Sequence, residues 1–177
     1  MEKTRGKFLK EIDAMVADRY RKPCREASGL DFETLKDDDE VFVKTSMTPY
    51  IDKLESFVGE IGIKVLGRKV WQRSWQGEGK AIDLITGYDE NLEKGIEVIE
   101  HMFGNSGNPN EESHGKVELI KSENNEIIIR STNLMNDFYV MGIVESIIAG
   151  YGHWATKSER TKKRPENTYS EFFFKWQ

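Results

Sequence analysis

Apolar residues in the first half of the chain recur at steps of three and four, which is the period of an amphipathic helix. One such stripe predicts a helix over residues 3–22, which Pro23 would end because proline has no backbone N–H. A hydroxyl residue followed by proline, a typical helix start, opens a second predicted helix over 48–75. A third helix is predicted over 89–103, and the short apolar run 41–43 indicates a small strand. The first half is therefore predicted to be mainly helical.

The second half of the chain alternates polar and apolar residues, which is the period of a β-strand. One run that largely alternates, 116–121, and one run with three consecutive isoleucines, 126–132, flank a short polar turn and predict a β-hairpin. A helix follows, capped by Asn133 and running to about residue 149, and two more strands come after it. The predicted fold class is α+β, with a helical N-terminal half followed by a β-β-α-β-β four-stranded antiparallel sheet unit. The predicted strands are 116–121, 126–132, 153–159 and 168–176.

Length, charge and cysteine content narrow the class of protein. The 177 residues fit a single domain, 1–177, with a mainly helical half at 1–103 and a sheet half at 114–177. A net charge of -5 leaves no cationic excess for general nucleic-acid binding. Cys24 cannot form an internal disulfide, which agrees with a cytoplasmic location. No segment approaches the roughly 20 apolar residues of a transmembrane helix.

Three short motifs resemble one superfamily. The run 138–145 reads apolar-x-x-Gly-Ile-x-Glu and resembles the helix between the two hairpins in that superfamily. Its members are the heme nitric-oxide/oxygen-binding (H-NOX) sensor domains, the 4-vinyl-reductase-like small-molecule domains and one class of TRAPP tethering subunits. The run 129–133 is similar in place to the H-NOX Tyr-x-Ser-x-Arg motif, and 87–92 is similar to the Gly-Tyr-Asp-x-x-Leu entry into the helix that carries the heme ligand. The resemblance covers roughly residues 87–176.

The resemblance implies a ligand and a set of residues that would bind it. The H-NOX members imply heme as the cofactor, with His101 as the axial ligand of its iron. His101 would therefore be a metal ligand only in a heme-bound protein. Ser131 matches the motif that grips the heme propionates, whereas Ile129 and Asn133 stand where that motif has Tyr and Arg. The TRAPP members imply instead a protein-interaction module that forms a homodimer.

Reasoning from the residues themselves favours a sensor or carrier domain in signal transduction. An apolar pocket between the helical half and the sheet would hold a small hydrophobic or planar ligand. Arg73 or His101 would fix the orientation of the ligand, and His153, between two aromatic residues, is a candidate for the mouth of the pocket. Simple core packing is the alternative for the aromatic residues. The candidate lining residues are Trp71, Trp75, Met102, Phe138 and Tyr139.

An enzyme with a dispersed site is the third hypothesis, with His101, His153 and Glu145 as its residues. Glu145 lies in the middle of an apolar helix pattern, so it either faces solvent or is buried with a partner. No nucleophile elbow, phosphate loop or dinucleotide fingerprint is present in the sequence. The sequence thus leaves a ligand-binding sensor, a dimeric interaction module and an enzyme as open alternatives.

Overall fold

The computed structural model describes residues 3–77, 117–132, 135–150, 152–164 and 169–177. The chain is α+β, as predicted, with helices in the first half and a β-β-α-β-β unit in the second. A π-helical turn at Val43–Met47 leads into the longest helix. In chain order the elements are β1 (Lys3–Arg5), α1 (Gly6–Met15), α2 (Asp18–Ser28), β2 (Glu40–Phe42), α3 (Thr48–Gly77), β3 (Val117–Glu123), β4 (Glu126–Ser131), α4 (Asp137–Gly150), β5 (Ala155–Lys162) and β6 (Ser170–Trp176).

The single helix predicted over residues 3–22 is wrong, because the chain forms β1 and two helices there. Strand β1 pairs antiparallel with β2, and Val16 and Ala17 are extended between α1 and α2. The Arg21 side chain donates hydrogen bonds to three carbonyl oxygens near the end of α1, those of Asp13, Ala14 and Val16. The last carbonyls of a helix have no partner within the helix, although that of Asp13 also accepts from the Val16 N–H, so Arg21 stabilises the break.

Pro23 lies inside α2, so the prediction that it ends a helix is also wrong. Beyond the proline, Cys24 and Ser28 are buried, and α2 packs on α3. Tertiary packing therefore keeps α2 helical where local propensity predicts an end.

The predicted helix over 48–75 is present as α3, but it is kinked. Gly59 has φ 68° and ψ 176°, a conformation that glycine adopts without the steric cost of a Cβ atom. Thr48, the expected cap, has helical angles because the π-helical turn precedes it. The helix predicted over 89–103 lies outside the described residues.

The four-stranded sheet has the order β3-β4-β6-β5, and all neighbouring strands are antiparallel. Residues Asn124 and Asn125 both have positive φ, as the tight turn of a hairpin requires. Ile127 and Ile129 of β4 lie opposite Phe174 and Phe172 of β6, and all four are fully buried. These side chains form the inner face of the sheet.

Helix α4 is buried along nearly its whole length and packs mainly on α3. Its cap is Asn136, whose Oδ1 accepts hydrogen bonds from the backbone N–H groups of Phe138 and Tyr139. The expected cap, Asn133, lies outside the described residues, and the helix begins later than predicted. One buried cluster joins side chains of α1, α2, α3, α4 and the sheet, which places α4 at the centre of the fold.

Candidate functional site

Glu145, in the middle of α4, is buried and bound by three side chains. Its Oε1 lies 3.0 Å from Lys64 Nζ, and its Oε2 lies 3.4 Å from Arg68 Nη1. The Ser158 hydroxyl donates to Oε1 at 2.5 Å and accepts from Lys64 Nζ at 2.7 Å. The carboxylate thereby joins α3, α4 and β5. The sequence left two alternatives for Glu145, exposure to solvent or burial with a partner, and the structure shows the second.

This junction has the form of a structural ion pair. A buried carboxylate is stable when opposite charges and hydrogen-bond donors surround it, and Glu145 has both. His153, which the enzyme hypothesis grouped with Glu145, is exposed and its ring contacts Trp176, with a centroid distance of 6.4 Å. His101 lies outside the described residues. The described contacts of Glu145 and His153 are therefore not those of a shared acid–base site.

The predicted pocket residues that the structure describes take two different places. Trp71, Phe138 and Tyr139 are buried in the common cluster. Arg73, two residues beyond Trp71 on α3, is exposed, whereas Trp71 is buried. The side chain of Trp75 and all of Met102 lie outside the described residues.

Phe138 and Tyr139 contact different parts of the fold although they are neighbours in sequence. The Arg160 guanidinium of β5 lies over the Phe138 ring, 4.5 Å from its centroid. Burial raises the pKa of the Tyr139 phenol well above its usual range, and the charge of Glu11 on α1 adds to the shift. Tyr139 is therefore a neutral side chain of α4 that lies near α1 of the helical half.

At the end of β4, Ser131 is almost completely buried and lies opposite Ser170 of β6. The Ser170 hydroxyl donates to Asp137 at 2.9 Å, and Arg160 binds the same carboxylate at 3.0 Å. Arg164, on the predicted turn between β5 and β6, donates to the Thr132 carbonyl at 3.0 Å. This end of the sheet is polar, and its arginines are partly engaged by α4 and β4.

Sequence reasoning missed a second buried charge, Asp13 of α1. Arg25 of α2 binds its two carboxylate oxygens at 3.0 and 2.5 Å, and the hydroxyl of Tyr50 on α3 donates to it at 2.8 Å. Burial, followed by the bond to Asp13, raises the pKa of Tyr50 far above its usual range. The pattern of apolar positions does not reveal this cluster, because its residues come from three different helices.

Sequence reasoning also missed a groove beside α2. This open cavity has a volume of about 670 Å³. Its lining comes from α2 and from residues 29–33 that follow it, and it includes none of the predicted pocket residues. Ionic groups of both signs surround it, and the Arg25 guanidinium lies 5.0 Å from the centroid of the Phe32 ring. Four of its lining residues are Arg21, Arg25, Leu30 and Phe32.

The Cys24 thiol is fully buried next to the Asp13 cluster. Burial, with the nearby Asp13 charge, raises its pKa from 9.0 to about 11. The raised pKa of the thiol favours the folded state below pH 9.0, and this contribution to stability is lost as the pH rises toward 11.

We expect alkylation of Cys24 by iodoacetamide at pH 8 to be at least about tenfold slower in native than in urea-unfolded protein, as measured by mass spectrometry. Equal rates would contradict the burial of this thiol.

Comparison with known proteins bears on the fold. No family model matches the sequence, and no curated protein matches it. Solved structures of H-NOX proteins do match the whole fold. The unliganded Fe(II) H-NOX protein from K. algicida superposes with a TM-score of 0.69 at 11% identity, covering 98% of this chain and 97% of that one.

Two other H-NOX structures give a similar result. A variant of the S. oneidensis H-NOX protein has a TM-score of 0.66 at 10% identity, over 98% of this chain and 96% of that one. A single-site variant of T. Tengcongensis H-NOX has a TM-score of 0.65 at 9% identity, over 97% and 94%. The class defined by the elements is thus an α+β domain with a helical half and an antiparallel sheet. Within that class, the chain has the H-NOX fold.

Two further observations concern the described residues alone. No helix among them is both long enough and apolar enough to cross a membrane. No group of three or more His, Cys, Asp and Glu side chains within these ranges could hold a metal ion. His101 lies outside these ranges.

Proposed function

We propose that the chain is a sensor or carrier domain that binds a small hydrophobic or planar ligand between its helical half and its sheet. The observation that carries the proposal is the likeness to H-NOX proteins along 98% of the chain, at a TM-score of 0.69. The aromatic residues Trp71, Phe138 and Tyr139, buried at the meeting of the two halves, support an apolar site. A role in signal transduction and a cytoplasmic location follow as expectations.

Heme is the specific ligand that the comparison brings to this proposal, and His101 is the candidate axial ligand. The described residues do not fit the carboxylate edge of heme. Ile129, in the place of the motif tyrosine, is fully buried and has no group that could donate a hydrogen bond to a propionate. Only Ser131 keeps the expected residue type. Heme is therefore one specific form of the proposal, and the experiment below tests it. The general proposal is that the domain binds a small apolar ligand.

The test is to purify the protein from a heme-supplied host and to record both its absorption spectrum and its native mass spectrum. A Soret band that disappears in His101→Ala would support heme on that residue. A colourless protein that carries a small apolar molecule in stoichiometric amount would support the wider proposal. A polypeptide mass alone, with no thermal shift on addition of heme or of a fatty acid, would overturn the proposal.

A further inference from the structure

Asp137, the first residue of α4, is surrounded by groups that bind anions. Arg160 Nη1 lies 3.0 Å from Asp137 Oδ2, and the hydroxyl of Ser170, a fully buried residue, donates to the same oxygen at 2.9 Å. Arg164 Nη2 lies 3.7 Å from Asp137 Oδ1. The first turn of a helix adds to this, because its free N–H groups favour a negative charge. Together these groups form an anion site, which the Asp137 carboxylate occupies.

Arg164 is not fully satisfied by this arrangement. Its contact with Asp137 is longer than a hydrogen bond, and its side chain donates instead to the carbonyl oxygen of Thr132 at 3.0 Å. Its Nε is buried and has no hydrogen-bond partner among the residues that the structure describes. Arg25, by contrast, places two N–H groups on the carboxylate of Asp13. A guanidinium group with unused donors attracts oxyanions, so the site would bind a free carboxylate if that of Asp137 were removed.

This anion site borders the proposed ligand site. Arg160 contacts both Asp137 and the ring of Phe138, whose centroid lies 4.5 Å from the guanidinium carbon. Phe138 is one of the buried aromatic residues that support the proposed ligand site. On the sheet, Ser170 lies opposite Ser131, another candidate residue of that site. Asp137 therefore places a negative charge at the edge of the region where the ligand is proposed to bind.

We infer that Asp137 determines which ligands the domain accepts, by filling the anion site and so favouring uncharged apolar molecules over acidic ones. The inference rests on the proposed function, because it concerns the ligand of that same site. An acid group that approached Arg160 or Arg164 would meet a carboxylate already bound there, and like charges brought together weaken binding. An uncharged ligand meets no such repulsion. Heme, which carries two carboxylates, belongs to the disfavoured class.

The experiment is fluorescence titration of the full chain with 2-naphthamide and 2-naphthoate, two planar probes of similar shape that differ by one negative charge. Wild type is expected to bind the amide at least about tenfold more tightly than the acid. Asp137→Asn keeps the size of the side chain and removes its charge, so it is expected to lower this ratio of affinities at least about tenfold. Circular dichroism checks that the variant is folded.

Glu171→Gln is the matched control, because it makes the same change of charge one residue after Ser170 on β6. Glu171 binds Arg130 at 3.0 Å and Lys162 at 3.3 Å, and it has no printed contact with the anion site of Asp137. The control is therefore expected to leave the ratio of affinities unchanged. An equal fall of the ratio in both variants would mean that net charge, and not the filled anion site, sets the selectivity.

A chemical rescue tests the anion site without any apolar ligand. Asp137→Ala vacates the site, so sodium formate is expected to raise the midpoint of thermal unfolding of this variant more than that of wild type. Sodium chloride at the same ionic strength is the reference, and the rise reflects binding of formate to the folded state. An equal effect of formate on both proteins would disprove the filled anion site.

The two naphthalene probes separate this inference from the proposed function. Equal affinities of wild type for the amide and the acid would disprove the selectivity but leave a ligand-binding domain. Failure of both probes to bind would count against the proposed function, and the selectivity would fall with it.

Discussion

Replacement of Glu145 by alanine is expected to lower the free energy of unfolding by about 3 kcal/mol, the range for one lost partner of a buried ion pair. The change leaves Lys64 Nζ without its carboxylate at the contact of α3 with α4, and the Ser158 hydroxyl loses its acceptor. The Lys64 side chain is 19% exposed, so water relieves part of the cost and the loss lies at the low end of that range. Urea unfolding followed by circular dichroism measures the effect.

The control for this prediction is an exposed ion pair on β5, the strand that carries Ser158. Lys157 Nζ and Glu159 Oε1 are 2.9 Å apart, but both side chains are about half exposed. Glu159→Ala is expected to cost less than about 0.5 kcal/mol, because exposed pairs are screened by water and salt. A loss at Glu145 no greater than at Glu159 would contradict the structural role of the buried carboxylate.

A double-mutant cycle separates the ion pair from the packing of the two side chains. Lys64→Met removes the ammonium but keeps an apolar stem of similar length. Its combination with Glu145→Leu removes both charges, so neither is left buried alone. We expect the double variant to be more stable than the sum of the two single losses predicts, by about 1 to 3 kcal/mol. Additive losses would mean that Lys64 and Glu145 do not stabilise one another.

The sheet could be predicted from sequence because its information is local. Short runs rich in isoleucine and phenylalanine indicate strands β4 and β6, and the turn at Asn124 has the residue type that tight hairpins favour. Which of these side chains point inward is seen only in the structure, because each run has three consecutive apolar residues. The order of strands and helices follows from these local patterns. The structure confirms the predicted fold class for this reason.

The division of the first predicted helix depends on contacts that periodicity does not contain. The apolar stripe continues across Val16, so the pattern alone gives no sign of a break. Arg21 binds the carbonyl groups at the end of the preceding helix, but the sequence does not show this contact, because an arginine five residues beyond Val16 fits equally well inside a continuous helix. The burial of Cys24 and Ser28 likewise keeps α2 helical, although a proline such as Pro23 disfavours the interior of a helix.

The candidate site was predictable only in part. The position of Glu145 within an apolar run identifies it as a residue that requires a partner if it is buried. The partners themselves are far away in sequence, since Lys64 precedes it by about eighty residues. The Asp13 cluster has the same character, because Tyr50 is 37 residues from Asp13. Single residues can be flagged from a sequence, but the groups that they form depend on how helices cross.

The crossing of α3 and α4 gives a second large expected effect, for Gly142→Ala. A Cβ atom at residue 142 would lie 2.2 Å from the backbone oxygen of Lys64, and one at Gly67 would lie 2.3 Å from that of Tyr139. Both obstacles are backbone atoms, so no side chain can turn aside to make room. We expect Gly142→Ala to lower the free energy of unfolding by about 3 kcal/mol, despite the gain in helix propensity.

Gly150→Ala is the matched control, because Gly150 lies on the same helix and a Cβ atom there would meet nothing within 4 Å. This control is expected to be neutral or to stabilise the fold by up to about 1 kcal/mol, since alanine favours the helix more than glycine does.

If Gly142→Ala displaces the α3 backbone at Lys64, it also moves the side chain that binds Glu145. The losses of Gly142→Ala and Glu145→Ala should therefore fall short of additive in the double variant. Equal stabilities of the two glycine variants would refute the close crossing, and strict additivity would show that the crossing and the buried carboxylate act independently.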